Sequence, residues 1–143
     1  MAHIFREIDG DNIDRLSDLF EIYSGTPLHK EGILRSGQTL PTWSVWDAGE
    51  PVGFYYTLRF TQDILKLVHI FVPHSARRQG VGTAMLTQLF EIMPQPFTGV
   101  IAANSMLYQT RETKVDPEPF YARNGFATIA NTNETKVFWK LKS

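Results

Sequence analysis

A chain of 143 residues with 43% hydrophobic and 13% aromatic side chains is long enough for one domain with a sizeable core. Its 14 basic and 15 acidic residues leave a net charge of −1, which removes any global electrostatic case for nucleic acid or an anionic membrane as partner. There is no cysteine, and that excludes disulfides, thiolate zinc sites and a cysteine-linked acyl-enzyme.

The N-terminus has no apolar signal core and no apolar run is long enough to span a bilayer, so a soluble, cytoplasmic domain over residues 1–143 is expected, with no repeat or linker dividing it. Residues 3–8 predict a short strand, closed by Gly10. Asp11 is placed to cap a helix over 12–23, in which Ile13, Leu16, Phe20 and Tyr23 share one face. After a break at 24–27, a weaker helix is predicted to about residue 35. Residues 42–46 and 52–60 read as strands of an antiparallel hairpin around a turn at 47–51.

Residues 64–72 follow. Ile64, Leu65, Leu67, Val68, Ile70, Phe71 and Val72 make an almost continuous apolar run, as in a strand covered on both faces. Pro73 cannot donate a ladder hydrogen bond and should stop it. Next come Arg77-Arg78-Gln79-Gly80-Val81-Gly82 and a helix in which Val81, Met85, Leu89 and Met93 recur at helical spacing. Two glycines at a helix start let a backbone approach a ligand closely. The free N–H groups and the positive end of the dipole then face that ligand, and Arg77 and Arg78 add charge. The pattern points to a phosphate or pyrophosphate; the competing reading is a tight turn whose arginines are merely solvated.

Pro94-Gln95-Pro96 ends the helix. Residues 97–103 predict a strand parallel to 64–72 by the right-handed crossover rule. Residues 104–118 are polar and aperiodic, a loop longer than usual connections and of the kind that carries function. A short helix over 119–124 should end at a left-handed Gly125. Residues 126–129 and 136–141 are the last strands, joined through Asn131-Thr132-Asn133.

The P-loop pattern is absent, and the dinucleotide fingerprint that would begin at Gly80 has Met85 where its third glycine belongs. What fits is [RQ]xxGx[GA], as Arg77-x-x-Gly80-x-Gly82 after an apolar strand, and downstream FYxxxGF, as Phe120-Tyr121-Ala122-Arg123-Asn124-Gly125-Phe126. On these two motifs the chain resembles the GNAT family of acyl-CoA-dependent N-acyltransferases. The likeness covers most of the chain in element order, with its specific motifs between about residues 64 and 126. It implies an α/β single-domain fold with a mixed, mostly antiparallel sheet of six to seven strands and helices on both faces.

The resemblance also implies a donor site. Arg77, Arg78, Gln79, Gly80, Val81, Gly82 and Thr83 would hold the pyrophosphate of coenzyme A. The backbone of Phe71 and Val72 would pair with the pantetheine arm where the fourth and fifth strands splay. Asn104, at the end of the fifth strand, would bond that arm or the region of the thiol. Tyr121 would stand near the sulfur and protonate the departing thiolate. The chemistry is sound by itself, since a phenol of reference pKa about 10 can donate to a thiolate of about 8.5. The competing reading is a core tyrosine packed with Phe120 and Phe126.

Many members carry a general-base glutamate on the fourth strand, and this chain has none there. Asp63 stands at the strand's entry and His69 inside it; His69 is the candidate base, because histidine titrates near neutral pH, against its reading as a satisfied core residue. His74 and Glu91 are second choices, and the reaction can also run without a dedicated base. His29, Lys30, Glu31 and Arg35 border the acceptor site or are plain polar surface. The long loop makes Tyr108, Arg111 and Asp116 candidate acceptor contacts. Trp43, Trp46, Tyr55 and Tyr56 are candidate pocket walls, half of them core by alternation.

The implied reaction moves an acetyl group from acetyl-CoA to a primary amine by direct attack in a ternary complex, through positioning and through backbone N–H groups that polarise the carbonyl. No metal is expected: His3, His29, His69 and His74 lack ligand spacing. No GxSxG elbow is present. Two other classes stay open, a non-catalytic acyl-CoA-binding or regulatory module and a domain binding ATP or NAD. A homodimer through sheet edges or aromatic surfaces stays open as well.

Overall fold

The computed structural model describes residues 3–77, 79–103, 117–131 and 136–142. Along the chain run β1 (Ile4–Glu7), α1 (Ile13–Ser24), α2 (Lys30–Ser36), β2 (Thr42–Asp47), β3 (Glu50–Arg59), β4 (Ile64–Phe71), α3 (Val81–Ile92), β5 (Gly99–Ala103), α4 (Glu118–Arg123), β6 (Ala127–Asn131) and β7 (Lys136–Leu141). They form one seven-stranded sheet in the order β1-β2-β3-β4-β5-β7-β6. β4 and β5 run parallel across the α3 crossover, and the other paired strands are antiparallel. The expected mixed α/β sheet with helices on both faces is what the chain builds.

The continuous apolar run of β4 is explained by its two covered faces. On one face, α1, α2 and the link between them bury Ile13, Leu16, Phe20, Leu28 and Ile33 against Trp46, Phe54 and Phe71. On the other, Val81, Met85, Leu86 and Leu89 of α3 and Tyr121 of α4 pack on Tyr55, Leu65, Leu67, Val100 and Phe138. Each fully buried leucine contributes about 1.5–3 kcal/mol, so this face fixes where α3 starts. Gly53 of β3 lets α3 come close: a methyl there would stand 2.9 Å from a Val81 methyl and 3.1 Å from the Phe71 carbonyl.

Two local expectations are corrected. Asp11 does not cap α1. The Asp9 carboxylate accepts from the N–H groups of Asp11 (2.9 Å) and Asn12 (3.1 Å), while Asn12 Oδ1 accepts from Asp9 N–H (3.0 Å). That reciprocal pair closes the turn two residues before the predicted cap. The β2–β3 turn is also shorter than 47–51. Ala48 (φ 52°) and Gly49 (φ 81°) alone make it, the positive-φ pair that a two-residue hairpin demands. Pro51 therefore lies in β3, opposite Trp46 at an irregularity in the ladder, where a missing N–H is tolerated. Gly25 (φ 78°) and Gly125 (φ 86°) end α1 and α4 in the left-handed region, as glycine does at helix C-termini.

Candidate active site

The site begins with an irregularity in β4. Tyr56 of β3 pairs with His69, but the next residue, Thr57, pairs with Leu67, so Val68 is an extra residue, a β-bulge. Were Val68 paired in turn, every later side chain would change face. His69 and Phe71 would point into the aliphatic core under α3. Instead Phe71 joins the cluster under α1, and His69 lies with its ring 5.6 Å from Phe20 and 5.3 Å from Tyr56.

The bulge coincides with a gap. β4 and β5 pair only at Ile64–Gly99, Leu65–Val100 and Lys66–Ile101. Beyond that, β5 continues to Ala103 paired with β7 alone among the described residues. Among the described residues no strand pairs with this side of β4 beyond Lys66, the side on which an extended ligand could add its own ladder of hydrogen bonds.

The gap leads to the glycine turn. Pro73 opens a 3₁₀ turn over His74–Ala76. Arg77 is half-buried and its Nε donates to the Val72 carbonyl at 3.2 Å, which ties the turn to the strand end and leaves the two terminal guanidinium nitrogens for an anion. Gly80 precedes α3 in the left-handed region (φ 77°), with nothing within 4 Å of where a side chain would start. Gly80 O accepts from Ala84 N–H (2.9 Å), so the N–H groups of Val81, Gly82 and Thr83 stand at the open, positive end of the helix. The Val81 side chain is buried in the core, so only its backbone can serve a ligand. Gln79 and Thr83 are exposed. Arg78 and Asn104 lie outside the described residues, as do Tyr108, Arg111, Asp116 and the predicted turn at Thr132-Asn133.

Tyr121 is 1% exposed. Its ring stacks on Phe138 (4.7 Å between centroids) and meets Phe126 at 5.0 Å and Phe120 at 5.4 Å. Burial pushes the phenol well above its ordinary pKa, so it stays protonated throughout the physiological range. Among the described residues its hydroxyl has no hydrogen-bond partner. The core reading and the donor reading of Tyr121 are thus compatible: the ring is core, the hydroxyl is uncommitted.

The remaining candidates separate. Asp63 is exposed before β4, at the end opposite the gap, and accepts from the Thr61 hydroxyl. Glu91 lies in the last turn of α3, away from the glycine turn. His74 is exposed in the 3₁₀ turn. His29 precedes α2, and Lys30 pairs with Asp14 at 2.7 Å on the surface. Glu31 and Arg35 are exposed.

Of the four wall candidates, Tyr56 alone flanks His69. Trp46 is buried under Arg6 and Arg15, and Tyr55 points the other way and donates to Gln88 Oε1 at 2.7 Å. Phe20 and Tyr23, read from sequence only as the core face of α1, prove to line the same side as His69. Nothing in helical spacing distinguishes a core aromatic from one that borders a site.

Among the described residues, no group of three His, Asp or Glu side chains stands where it could hold a metal ion, and no helix is long and apolar enough to cross a membrane. Two shallow depressions, about 360 Å³ beside Arg6 and Trp46 and about 410 Å³ between Phe90 and Lys140, both lie away from the glycine turn. Neither gathers chemistry that converges on one point.

Comparison with known proteins follows the same lines. A family model described as Acetyltransferase (GNAT) domain matches residues 39–128. No curated protein sequence matches. Among solved structures, the chain is similar to Ard1 from Thermoplasma volcanium (TM-score 0.75, 18% identity, 100% of this chain and 99% of that one). It is similar to the ribosomal-protein-S18-alanine N-acetyltransferase from Escherichia coli (0.75, 15%, 99% and 95%). It is also similar to the PaiA N-acetyltransferase from Thermoplasma acidophilum, solved in complex with coenzyme A (0.75, 12%, 99% and 99%). At these identities the structural likeness concerns the fold.

Proposed function

The chain belongs to the GNAT acetyltransferase family, and on that premise we propose that it moves an acetyl group from acetyl-CoA to a primary amine by direct attack while both substrates are bound. The observation that carries this reading is a continuity: the β4–β5 gap opens beside a helix N-terminus headed by a left-handed Gly80, with Tyr121 buried nearby in the same core.

The residues present suit the donor. The N–H groups of Val81, Gly82 and Thr83, with the Arg77 guanidinium, would hold the pyrophosphate. The backbone of Phe71 and Val72, where the chain has parted from β5, would pair with the pantetheine arm, and an N–H there would polarise the thioester carbonyl. If the amine enters from the α1 side, where His69 lies against Phe20 and Tyr56, His69 would take the proton that the nitrogen sheds as its bond to the carbonyl carbon forms. When the carbon–sulfur bond breaks, the Tyr121 hydroxyl would donate a hydrogen bond to the departing thiolate. Its raised pKa makes complete proton transfer uphill, so Tyr121 stabilises charge and solvent supplies the final proton.

Calorimetric titration with acetyl-CoA, using ATP and NAD as controls, tests the donor site. Selective acetyl-CoA binding followed by amine-dependent release of free thiol is the expected result. Binding without release for any amine would favour a non-catalytic acyl-CoA-binding module. No binding by folded protein would overturn the assignment.

A further inference from the structure

α4 joins the two motifs in space. The ring of Phe120 lies against the first turn of α3: a methyl built on Gly82 would stand 2.9 Å from Phe120 Cε1 and 3.0 Å from Cζ, well inside the 3.5–4.0 Å at which carbon atoms rest. The [RQ]xxGx[GA] pattern accepts alanine at this place; in this chain a methyl there would push the Phe120 ring from its seat. The neighbouring residue is Tyr121, its ring edge-on to that of Phe120 at 5.4 Å. Asn124 Nδ2 donates to the Phe120 carbonyl at 2.9 Å, which fastens the short helix around the pair.

The consequence is metrical. The pyrophosphate and the sulfur of coenzyme A are joined by an arm of fixed covalent length. If the turn grips one end, a donor to the other must stand at a set separation from that turn. A hydrogen bond to a thiolate loses strength over a few tenths of an ångström.

We propose that Phe120 is a positioning residue, whose seat on Gly82 sets how far the Tyr121 hydroxyl stands from the pyrophosphate turn. This rests on the reading of Tyr121 as hydrogen-bond donor to the departing thiolate.

The test uses the full chain with coenzyme A as the probe and needs no acceptor. The acidity of the bound thiol is read from the ultraviolet absorbance of the thiolate as pH is raised. Loss of the Tyr121 donor in Tyr121→Phe should make the bound thiol about tenfold less acidic. Gly82→Ala should remove most of the same tenfold, should remove nothing more in the Tyr121→Phe background, and should be largely reversed by adding Phe120→Leu. An unchanged thiol in Gly82→Ala, or an equal loss with Tyr121 already replaced, would overturn the proposal.

If Gly82→Ala fails to fold or to bind coenzyme A, Phe120→Leu alone decides. It leaves the turn's backbone intact and should cost part of the acidity only where Tyr121 is present; no cost overturns the proposal. An unchanged thiol in Tyr121→Phe itself is a separate failure, which removes the donor reading and the proposal with it.

Discussion

The two faces of the sheet are packed differently. The α3 face is sealed: Leu65, Leu67, Met85 and Leu89 are each at most 1% exposed, and Tyr121 is held in the same cluster against Phe126 and Phe138. The α1 face is partly open where aromatic rings gather, with Tyr56 edge to face on His69, Tyr23 edge to face on Phe71, and Phe20 tilted against His69. On the proposed reading, a donor common to the family would suit the sealed face, and an acceptor that varies would suit the face whose aromatic rings are partly exposed. The bulge at Val68 lets one strand serve both faces.

The strongest way to break the comparison is on the α3 side. Gly80→Asp places a carboxylate and a strained left-handed residue at the helix N-terminus, in open space. Acetyl-CoA affinity is expected to fall by more than about a hundredfold in calorimetry, with the thermal midpoint lowered by only a few degrees. Unchanged affinity would remove the turn from the donor site. Gly82 is the poorer probe, because any side chain there meets Phe120.

Next in size is Tyr121→Phe, which keeps the ring stack on Phe138 and deletes the hydroxyl. The maximal rate should drop about tenfold to a hundredfold, the value of one hydrogen bond to a developing charge, with acetyl-CoA affinity nearly unchanged. An equal rate would return Tyr121 to a purely structural role.

On the α1 side the effects should be smaller and pH-dependent. His69→Gln is expected to erase an inflection near neutral pH from the rate profile and to cost about tenfold or less at high pH, where the amine arrives neutral. An inflection that survives would exclude His69 as base.

Buried phenols give a further contrast. Burial raises the pKa of both Tyr55 and Tyr121 in the folded state. Above about pH 10 the unfolded chain would release those protons and the folded chain would not. Stability should therefore be intact below pH 10 and fall as pH rises beyond it, more steeply than in Tyr55→Phe. Identical alkaline unfolding of the two proteins would contradict the assigned burial. The smallest effect belongs to Lys30→Ala. With Lys30 held by Asp14 on the surface, neither the thermal midpoint nor the acceptor KM should move, and a raised KM would bring α2 into the acceptor site.

How far the chain could be read from its letters follows the range of the interactions. β4, its stop at Pro73, Gly80 and the stripe of α3 are local patterns, and each was legible. The bulge was not, because it exists only in the register of Leu67 and His69 against Thr57 and Tyr56 on another strand. The pairing of Gly82 with Phe120 was hidden for the same reason, although both residues belong to recognised motifs. Asp11 looked like a cap because aspartate precedes an apolar stripe; instead Asp9 takes the N–H groups of Asp11 and Asn12 with its carboxylate and that of Ile13 with its carbonyl, and Asn12 bonds back to Asp9. Tyr56 and Tyr55 are chemically alike, and only alternation about β3 sent one to His69 and the other to Gln88.

The brevity of the β4–β5 ladder has a mechanical meaning. Among the described residues, three ladder pairs and one flanking bond, Thr98 N–H to the Asp63 carbonyl, make the seam between a four-stranded half, β1 to β4, and a three-stranded half, β5, β7 and β6. A sheet sewn so briefly should part there first under load or in hydrogen exchange, ahead of the long β2–β3 and β3–β4 hairpins. An extended ligand laid along β4 beyond Lys66 would lengthen the stitching with its own amides, and mass action would add about 2.7 kcal/mol at a hundredfold excess over Kd. The melting temperature of this fold would then be a gauge of donor supply.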